Sequence, residues 1–282
     1  QDILTIQYSY ASANAAINRI NKILDLKKET NGLLELDSKA KKIDIKVENL
    51  NFSYNQNKQI LKNISFDIKS GEKVAIIGAS GSGKTTIANI ISGFYAKDSG
   101  NIFYNNISID ELNKQSLREN IFLVLQMPIL FNNTLKFNIT MGNENISDVE
   151  IFEALKIAQL YDTVIDMPNG LDTIVGKHGI RLSGGQRQRL SIARMVIANP
   201  SVVIFDESTS ALDVHTEVKL FNQLEKFLKE KTVITIAHRL STVKNADMIY
   251  VINDGKIVQS GNHKELEKKE GDYLEFIKKQ LV

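Results

Sequence analysis

The chain has 282 residues, of which 43% are hydrophobic, so it is long enough to form one large or two modest domains around a buried core. Its 35 lysines and arginines nearly balance its 33 aspartates and glutamates, and a net charge of +2 gives no electrostatic reason to expect a nucleic-acid partner. The absence of cysteine excludes disulfides, thiol catalysis and cysteine-ligated zinc or iron–sulfur sites. No apolar run approaches the roughly 18 residues of a membrane span, and we expect the chain as given to be soluble.

The first 27 residues carry apolar side chains at alternating spacings of three and four, which predicts a helix with one apolar stripe. The stripe consists of Ile3, Ile6, Tyr10, Ala13, Ile17, Ile20 and Leu24. Two interpretations remain open: the helix packs on its own domain, or it belongs to a longer assembly. The second is favoured because no proline, glycine or clear cap marks a start. Residues 27–42, which follow, are polar and rich in charges of both signs, and this composition indicates a linker.

The alternating apolar pattern from Ile43 onward, with a second apolar run from Ile60 to Ile68, predicts two or three antiparallel strands. An apolar run from Val74 to Ile77 then predicts a buried strand, and a helical pattern begins at Ile87. Between them lies a glycine-rich turn of the phosphate-binding type. Its residues are Gly78, Ala79, Ser80, Gly81, Ser82, Gly83, Lys84, Thr85 and Thr86.

Glycines in this turn allow successive backbone N–H groups to point into one concavity at a helix N-terminus, where phosphate oxygens fit. We expect Lys84 to reach the β- and γ-phosphates and the Thr85 hydroxyl to bind Mg²⁺. The alternative, a flexible Gly/Ser loop, is disfavoured by the strand and helix on either side. This loop predicts a nucleotide ligand and leaves the function undecided.

After the loop, strand and helix patterns alternate along the chain. Strands are predicted at 100–107, 121–125, 202–205, 232–236, 248–252 and 256–260, and helices at 183–199 and 214–228, with a capping box formed by Ser147 and Glu150 and a hairpin turn at 253–255. This order predicts an α/β fold: a parallel-sheet core, an antiparallel lobe before it and a helical insert of about 70 residues.

Asp206 and Glu207 follow four consecutive apolar residues at the end of a predicted core strand. Since ligands gather at the carboxyl ends of parallel strands, both carboxylates are expected beside the phosphate loop. Asp206 is expected to hold Mg²⁺, and Glu207 to polarise the water that attacks the γ-phosphate. The alternative, a helix N-cap with a solvated neighbour, is disfavoured by the buried run before them.

A second anion site is predicted where Ser183 caps a helix that opens with Gly184, Gly185 and Gln186. One γ-phosphate is not easily held by two loops on separate lobes, unless the second loop belongs to another copy of the chain. On physical grounds alone, two interpretations remain open for His238, which follows a predicted strand: a structural polar residue or a functional one. For Tyr54 the alternatives are a core aromatic, which residue type favours, and a base platform.

Taken in order, these motifs resemble the nucleotide-binding domain of ABC transporters, most closely the exporter type. The matching residues are Gly78 to Thr86, Gln126, Leu182 to Gln186, Asp206-Glu207, Ser210 to Asp213 and His238. The resemblance implies a P-loop NTPase (RecA-like) fold over residues 43–282, with a helical subdomain at about 127–197. It also implies that residues 1–42 are the last helix of a transmembrane domain and its linker.

The resemblance further implies the role of each matched residue. Tyr54 stacks on adenine, Gln126 contacts Mg²⁺ and the attacking water, and His238 contacts the γ-phosphate. Asp213 couples two sites, and the Ser183 to Gln186 loop acts in trans. The implied cofactors are ATP and Mg²⁺. The implied partners are a second copy in a head-to-tail dimer and the transmembrane domain of the same full-length chain, at the cytoplasmic face of the membrane, without nucleic acid.

The implied function is an ATP-hydrolysing motor that powers export. The alternative is a soluble ABC-type ATPase of DNA repair or translation, but such relatives carry long coiled-coil insertions or a second ATPase copy, which this sequence lacks. Lys177, where exporters commonly have an acidic residue, and Met127, where a polar residue is common, depart from the family pattern. Neither departure touches the predicted chemistry, and we expect specificity for the transported substrate to lie in the membrane helices.

Overall fold

The computed structural model describes residues 2–26, 29–37, 42–55, 58–206, 214–237 and 240–280. These residues fall into two units, the first ending at Asn31 and the second beginning at Gly32. The helices are α1 (Asp2–Leu24), α2 (Lys84–Ile91), α3 (Lys114–Asn120), α4 (Leu135–Thr140), α5 (Asp148–Ile157), α6 (Tyr161–Ile165), α7 (Gly184–Ala198), α8 (Val214–Leu228), α9 (Leu240–Lys244), α10 (His263–Leu266) and α11 (Asp272–Gln280). The strands are β1 (Ile45–Ser53), β2 (Gln59–Ile68), β3 (Lys73–Gly78), β4 (Ser99–Tyr104), β5 (Ile107–Ser108), β6 (Ile121–Val124), β7 (Asn133–Thr134), β8 (Ile174–Val175), β9 (Val202–Asp206), β10 (Thr232–Ile236), β11 (Met248–Asn253) and β12 (Lys256–Gly261).

The second unit is built on a six-stranded sheet in the order β12-β11-β3-β10-β9-β6. All neighbours in it pair in parallel except β11 and β12, which form the predicted hairpin. The predicted parallel core is therefore confirmed. Its central strand β3 places the phosphate loop between the ends of β10 and β11.

A four-stranded sheet in the order β2-β1-β4-β5 forms the antiparallel lobe. The prediction of one strand at 100–107 was wrong, because Asn105 and Asn106 adopt φ values of 49° and 66° and turn the chain back on itself. Two residues with positive φ form the tight turn that suits a hairpin, and asparagine tolerates this conformation. The strands after the phosphate loop thus complete a lobe that begins before it.

The parallel sheet is buried on both faces, which explains why its strands are continuously apolar. Val74 and Ile76 of β3 face a core shared with the antiparallel lobe and α2. Ala75 and Ile77 face a second core built with α9 and the C-terminal helices. A third core packs the helices between β6 and β9, with α8, against Val203 and neighbouring residues of the same sheet.

The predicted linker contains an ordered segment, which we name the strap (Gly32–Leu36). Its backbone pairs with the chain just before α3, and Leu34 forms a bridge with Leu112. Leu36 is 3% exposed, its N–H donates to Ser116 Oγ at 2.9 Å, and that hydroxyl donates to Leu36 O. A Cβ on Gly32 would lie 2.0 Å from the Glu111 carbonyl oxygen, so the close approach requires glycine.

Taken by itself, the first unit is the predicted helix α1. Its apolar stripe is exposed, from 53% for Ile17 to 75% for Ile3. Among the described residues, no helix combines the length and the apolar character needed to cross a membrane.

Candidate functional site: a phosphate loop at the end of the parallel sheet

The glycine-rich turn connects β3 to α2 and is shaped by close backbone contacts. Gly78 has a φ of 154°, and a Cβ there would lie 2.1 Å from the Ile252 carbonyl oxygen of β11. Gly83, at the N-cap of α2, has a φ of 106°, where a Cβ would lie 2.6 Å from the Leu61 side chain. Side chains at these two positions are excluded by backbone conformation and by space. The result is a backbone-lined concavity that opens at a helix N-terminus, the usual place for phosphate.

Lys84 is 5% exposed and curls back over the loop that precedes it. Its ammonium donates to Gly78 O at 3.0 Å and to Ala79 O at 2.9 Å. The positive charge is therefore held inside the loop by backbone carbonyls, which are weaker partners than phosphate oxygens.

Ser82 has a buried hydroxyl with no hydrogen-bond partner in the part of the chain that the structure describes. The side chain is 6% exposed, and its oxygen would lie 2.9 Å from a Cβ on Gly78. Buried hydroxyls are normally satisfied, so an orphan at this point indicates a polar ligand that accepts or donates a hydrogen bond here. A phosphate oxygen fits that requirement.

Thr85 and Asp206 meet at the carboxyl edge of the parallel sheet. Thr85 Oγ1 donates to Asp206 Oδ1 at 3.2 Å, although the two residues are 121 positions apart in the chain. Asp206 is 4% exposed and pairs in register with Ile236 of β10. A hydroxyl and a carboxylate oxygen are ligands that a hard cation such as Mg²⁺ prefers. Among the residues that the structure describes, no group of three or more histidines, aspartates or glutamates could hold a metal ion. Mg²⁺ is commonly held by one or two carboxylates together with substrate phosphates.

Tyr54 lies beside Thr86, at the end of the phosphate loop. The Tyr54 hydroxyl lies 3.0 Å from Thr86 Oγ1, and the Tyr54 side chain is 56% exposed. The structure thus brings the predicted base platform next to the phosphate loop. An exposed tyrosine at this position differs from the core aromatic that residue type alone would favour.

The second predicted anion loop begins α7. Ser183 Oγ accepts from Gln186 N at 3.1 Å, and Gln186 Oε1 accepts from Ser183 N at 2.7 Å, which completes a capping box. Gly184 and Gly185 occupy the first two helical positions, whose N–H groups have no acceptor within a helix. The loop is therefore a capped helix N-terminus whose first two positions carry no side chain.

Gln126 is exposed just after β6, and α7 holds its backbone. The Gln188 amide, in a side chain that is 1% exposed, donates to Gln126 O at 3.2 Å. Three predicted site residues, Glu207, Asp213 and His238, lie outside the described residues, and their expected roles stay predictions.

Sequence reasoning missed a buried polar junction between α7 and the segment from Ile129 to Asn138. Arg194 of α7 donates to Ile129 O at 2.9 Å and to Asn138 Oδ1 at 3.0 Å. The Asn138 side chain, fully buried, also bonds the backbone at Phe131 in both directions. Burial lowers the pKa of the Arg194 guanidinium, which still keeps its charge at any physiological pH. The available signal was a cationic residue within the apolar helix pattern of α7.

Comparisons with known proteins agree with this geometry. The family profile described as "ABC transporter" matches residues 61–210. The ATP-dependent lipid A-core flippase of Saccharophagus degradans is 42% identical over 268 residues, which are 95% of this chain and 45% of the flippase. Heavy metal tolerance factor 1 of Caenorhabditis elegans is 38% identical over 277 residues, which are 98% of this chain and 34% of that protein.

The fold has a close counterpart among solved structures. A structure described as a bacterial Atm1-family ABC exporter with ATP bound superposes with a TM-score of 0.89 at 33% identity, and the match covers 99% of this chain and 49% of that one. The expected P-loop NTPase fold is confirmed by this match. The chain spans less than half the length of the relatives it matches. It belongs to the ABC transporter family, of which it carries the ATP-hydrolysing domain.

Proposed function

We propose that this chain is the motor of an ABC exporter, which binds ATP with Mg²⁺ and hydrolyses it to drive transport across a membrane. The observation that carries the proposal is the contact between Thr85 and Asp206 beside the phosphate loop. It joins a phosphate-binding helix start to an acidic strand end, the two parts that nucleotide hydrolysis at a P-loop requires.

The phosphate loop binds the triphosphate through its backbone N–H groups and Lys84. The ammonium exchanges Gly78 O and Ala79 O for the more negative β- and γ-phosphate oxygens. The buried Ser82 hydroxyl, which has no hydrogen-bond partner among the described residues, bonds a phosphate oxygen when the triphosphate binds. Tyr54 offers its ring to the adenine.

Thr85, Asp206 and Gln126 are the residues that would hold Mg²⁺, which when bound neutralises charge on the phosphate oxygens. The oxygen donors at Thr85 and Asp206 suit that ion. Glu207 accepts a proton from water as the water oxygen bonds to the γ-phosphorus, and the bond to the bridging β–γ oxygen breaks to release ADP and phosphate. His238 donates a hydrogen bond to a γ-phosphate oxygen.

The site is completed by a second copy of the chain. The capped helix start at Ser183 to Gln186 is an anion site without a phosphate loop on its own lobe, and a two-fold axis would place it over the partner's γ-phosphate. Asp213 would couple the two sites. We place the transmembrane domain of the full-length protein as the other partner, with this domain at the cytoplasmic face of the membrane. The exporter relatives support that assignment.

Substitution of Glu207 by glutamine tests the proposal. The Glu207→Gln variant should bind ATP with unchanged affinity, lose steady-state hydrolysis by about 10²- to 10⁴-fold and accumulate as an ATP-bound dimer on size-exclusion chromatography. Glu230→Gln is the matched control, because Glu230 is an exposed glutamate in the turn that follows α8. A normal turnover rate in Glu207→Gln would exclude Glu207 as the base, and a variant that stays monomeric with ATP would contradict the shared site.

A further inference from the structure

Three aromatic side chains form a cluster beside the phosphate loop, which we name the aromatic cluster (Phe52, Tyr54 and Tyr95). The Tyr54 ring centroid lies 5.0 Å from that of Phe52 and 5.6 Å from that of Tyr95. Both neighbours are nearly perpendicular to Tyr54, with interplanar angles of 87° and 89°. Phe52 and Tyr95 lie 5.8 Å apart at a tilt of 33°. Edge-to-face contacts at these distances are the favourable ones for aromatic pairs.

Contacts within the protein fix Tyr54 from several directions. Phe52 is 5% exposed and anchors one contact in the core, while the Tyr54 hydroxyl is tied to Thr86 at 3.0 Å. Neither aromatic neighbour stacks flat on the Tyr54 ring, because both are perpendicular to it. These contacts set the orientation of the Tyr54 ring, and its side chain, 56% exposed, leaves surface open to a ligand.

Tyr95 and Phe52 contact Tyr54 from different parts of the chain. Phe52 and Tyr54 belong to the end of β1 and the residues that follow it, whereas Tyr95 follows α2, the helix that begins with Lys84. The contact between Tyr95 and Tyr54 therefore joins the base platform to the far end of the phosphate-binding helix. It sets the ring relative to the place where the triphosphate binds.

We propose that Tyr95 is a positioning residue for recognition of the nucleotide base, and this proposal rests on the proposed role of Tyr54 as the adenine platform. Tyr95 holds the Tyr54 ring at the distance and tilt at which a purine stacks while its phosphates lie in the loop. A ring held in place beforehand loses less conformational freedom when the base binds, so affinity and base selectivity rise together.

The test compares two ligands, ATP and inorganic tripolyphosphate, by calorimetric titration of the purified chain. Tyr95→Leu should weaken ATP binding by about two- to tenfold, the range expected for one aromatic pair, and leave tripolyphosphate affinity unchanged. Tyr95→Phe keeps the ring and should bind both ligands like the wild type. Phe94→Leu is the matched control, since Phe94 is the adjacent aromatic residue, is 58% exposed and is outside the cluster.

Tyr54→Ala separates this proposal from the one it rests on. If Tyr54→Ala retains wild-type affinity for ATP, the base platform itself is refuted. If Tyr54→Ala loses affinity for ATP alone and Tyr95→Leu loses none, only the positioning role is refuted. An equal loss for both ligands in Tyr95→Leu also overturns the role, because it places the effect on the phosphate loop.

A double-mutant cycle tests whether Tyr95 acts through Tyr54. In the Tyr54→Ala background, Tyr95→Leu should change ATP affinity less than about twofold, because the residue acts through the missing ring. A full additional loss would contradict the proposal. Should Tyr95→Leu fail to fold, Tyr95→Met keeps a long apolar side chain without a ring, and the same difference between the two ligands is required of it.

Discussion

The Thr85 hydroxyl donates a 3.2 Å hydrogen bond to the Asp206 carboxylate, which joins the first turn of α2 to the last residue of β9. Asp206 occupies this position because the four residues before it are buried apolar side chains that lock β9 into the sheet. Asp206 is 4% exposed, so the surrounding residues of the strand fix the orientation of its carboxylate. Protein oxygens meet here from two distant segments beside the phosphate loop.

Removal of the Thr85 hydroxyl should therefore act through the metal. In EDTA, we expect Thr85→Val to bind ATP with the affinity of the wild type. With Mg²⁺ present, its ATP affinity should be about 10- to 100-fold below that of the wild type, comparable with the effect of other groups that organise metal sites. Titration of ATP with and without Mg²⁺ measures both values. Equal losses under the two conditions would instead indicate a damaged phosphate loop.

Loss of the Lys84 ammonium should weaken the nucleotide site itself. Lys84→Ala removes charged hydrogen bonds to phosphate, worth about 1.5–3 kcal/mol each, so ATP affinity should fall by at least about tenfold with or without Mg²⁺. Lys136→Ala is the control, because Lys136 is a half-exposed lysine that pairs with Asp148. Wild-type ATP binding by Lys84→Ala would be incompatible with the phosphate-loop geometry.

The hydrogen bonds of Arg194 predict that a lysine, which keeps the positive charge, does not restore the stability of the chain. Lysine cannot reproduce a fork that reaches Ile129 O and Asn138 at once, so Arg194→Lys should lower the free energy of unfolding by about 1–3 kcal/mol. Arg181→Lys, at an exposed arginine, should change it by less than about 0.5 kcal/mol. Urea denaturation measures both, and equal stabilities for the two variants would show that the junction contributes nothing.

The strap predicts contrasting effects for two nearby leucines. Leu36 is 3% exposed and Leu33 is 95% exposed. Leu36→Ala should destabilise the chain by about 2–4 kcal/mol through lost burial and a residual cavity, whereas Leu33→Ala should be neutral within about 0.5 kcal/mol. Similar midpoints of thermal unfolding for the two variants would mean that the strap detaches in solution.

Much of the site was readable from sequence because its parts are contiguous motifs. The phosphate loop, the N-cap at Ser183 and the acidic end of β9 each depend on residues within a few positions of one another. The bounds predicted for the strand at 232–236 and the helix at 214–228 match β10 and α8. Short-range patterns determine such elements because burial alternates with a fixed period along the local backbone.

Other features depend on partners that are distant in sequence. No local pattern brings Tyr95 to Tyr54, Gln188 to the backbone of Gln126, or Ser116 to the strap. The order of the strands, with β3 between β10 and β11, is likewise absent from any single segment.

By itself, the sequence determined the family, the phosphate loop and the type of each principal element, since these depend on residue identity and local periodicity. Only the tertiary structure decided which side chains share a site, that the strap is packed, and that residues 99–108 form a hairpin. Those outcomes depend on packing and hydrogen bonds between segments far apart in the chain, whose free energies no local window contains.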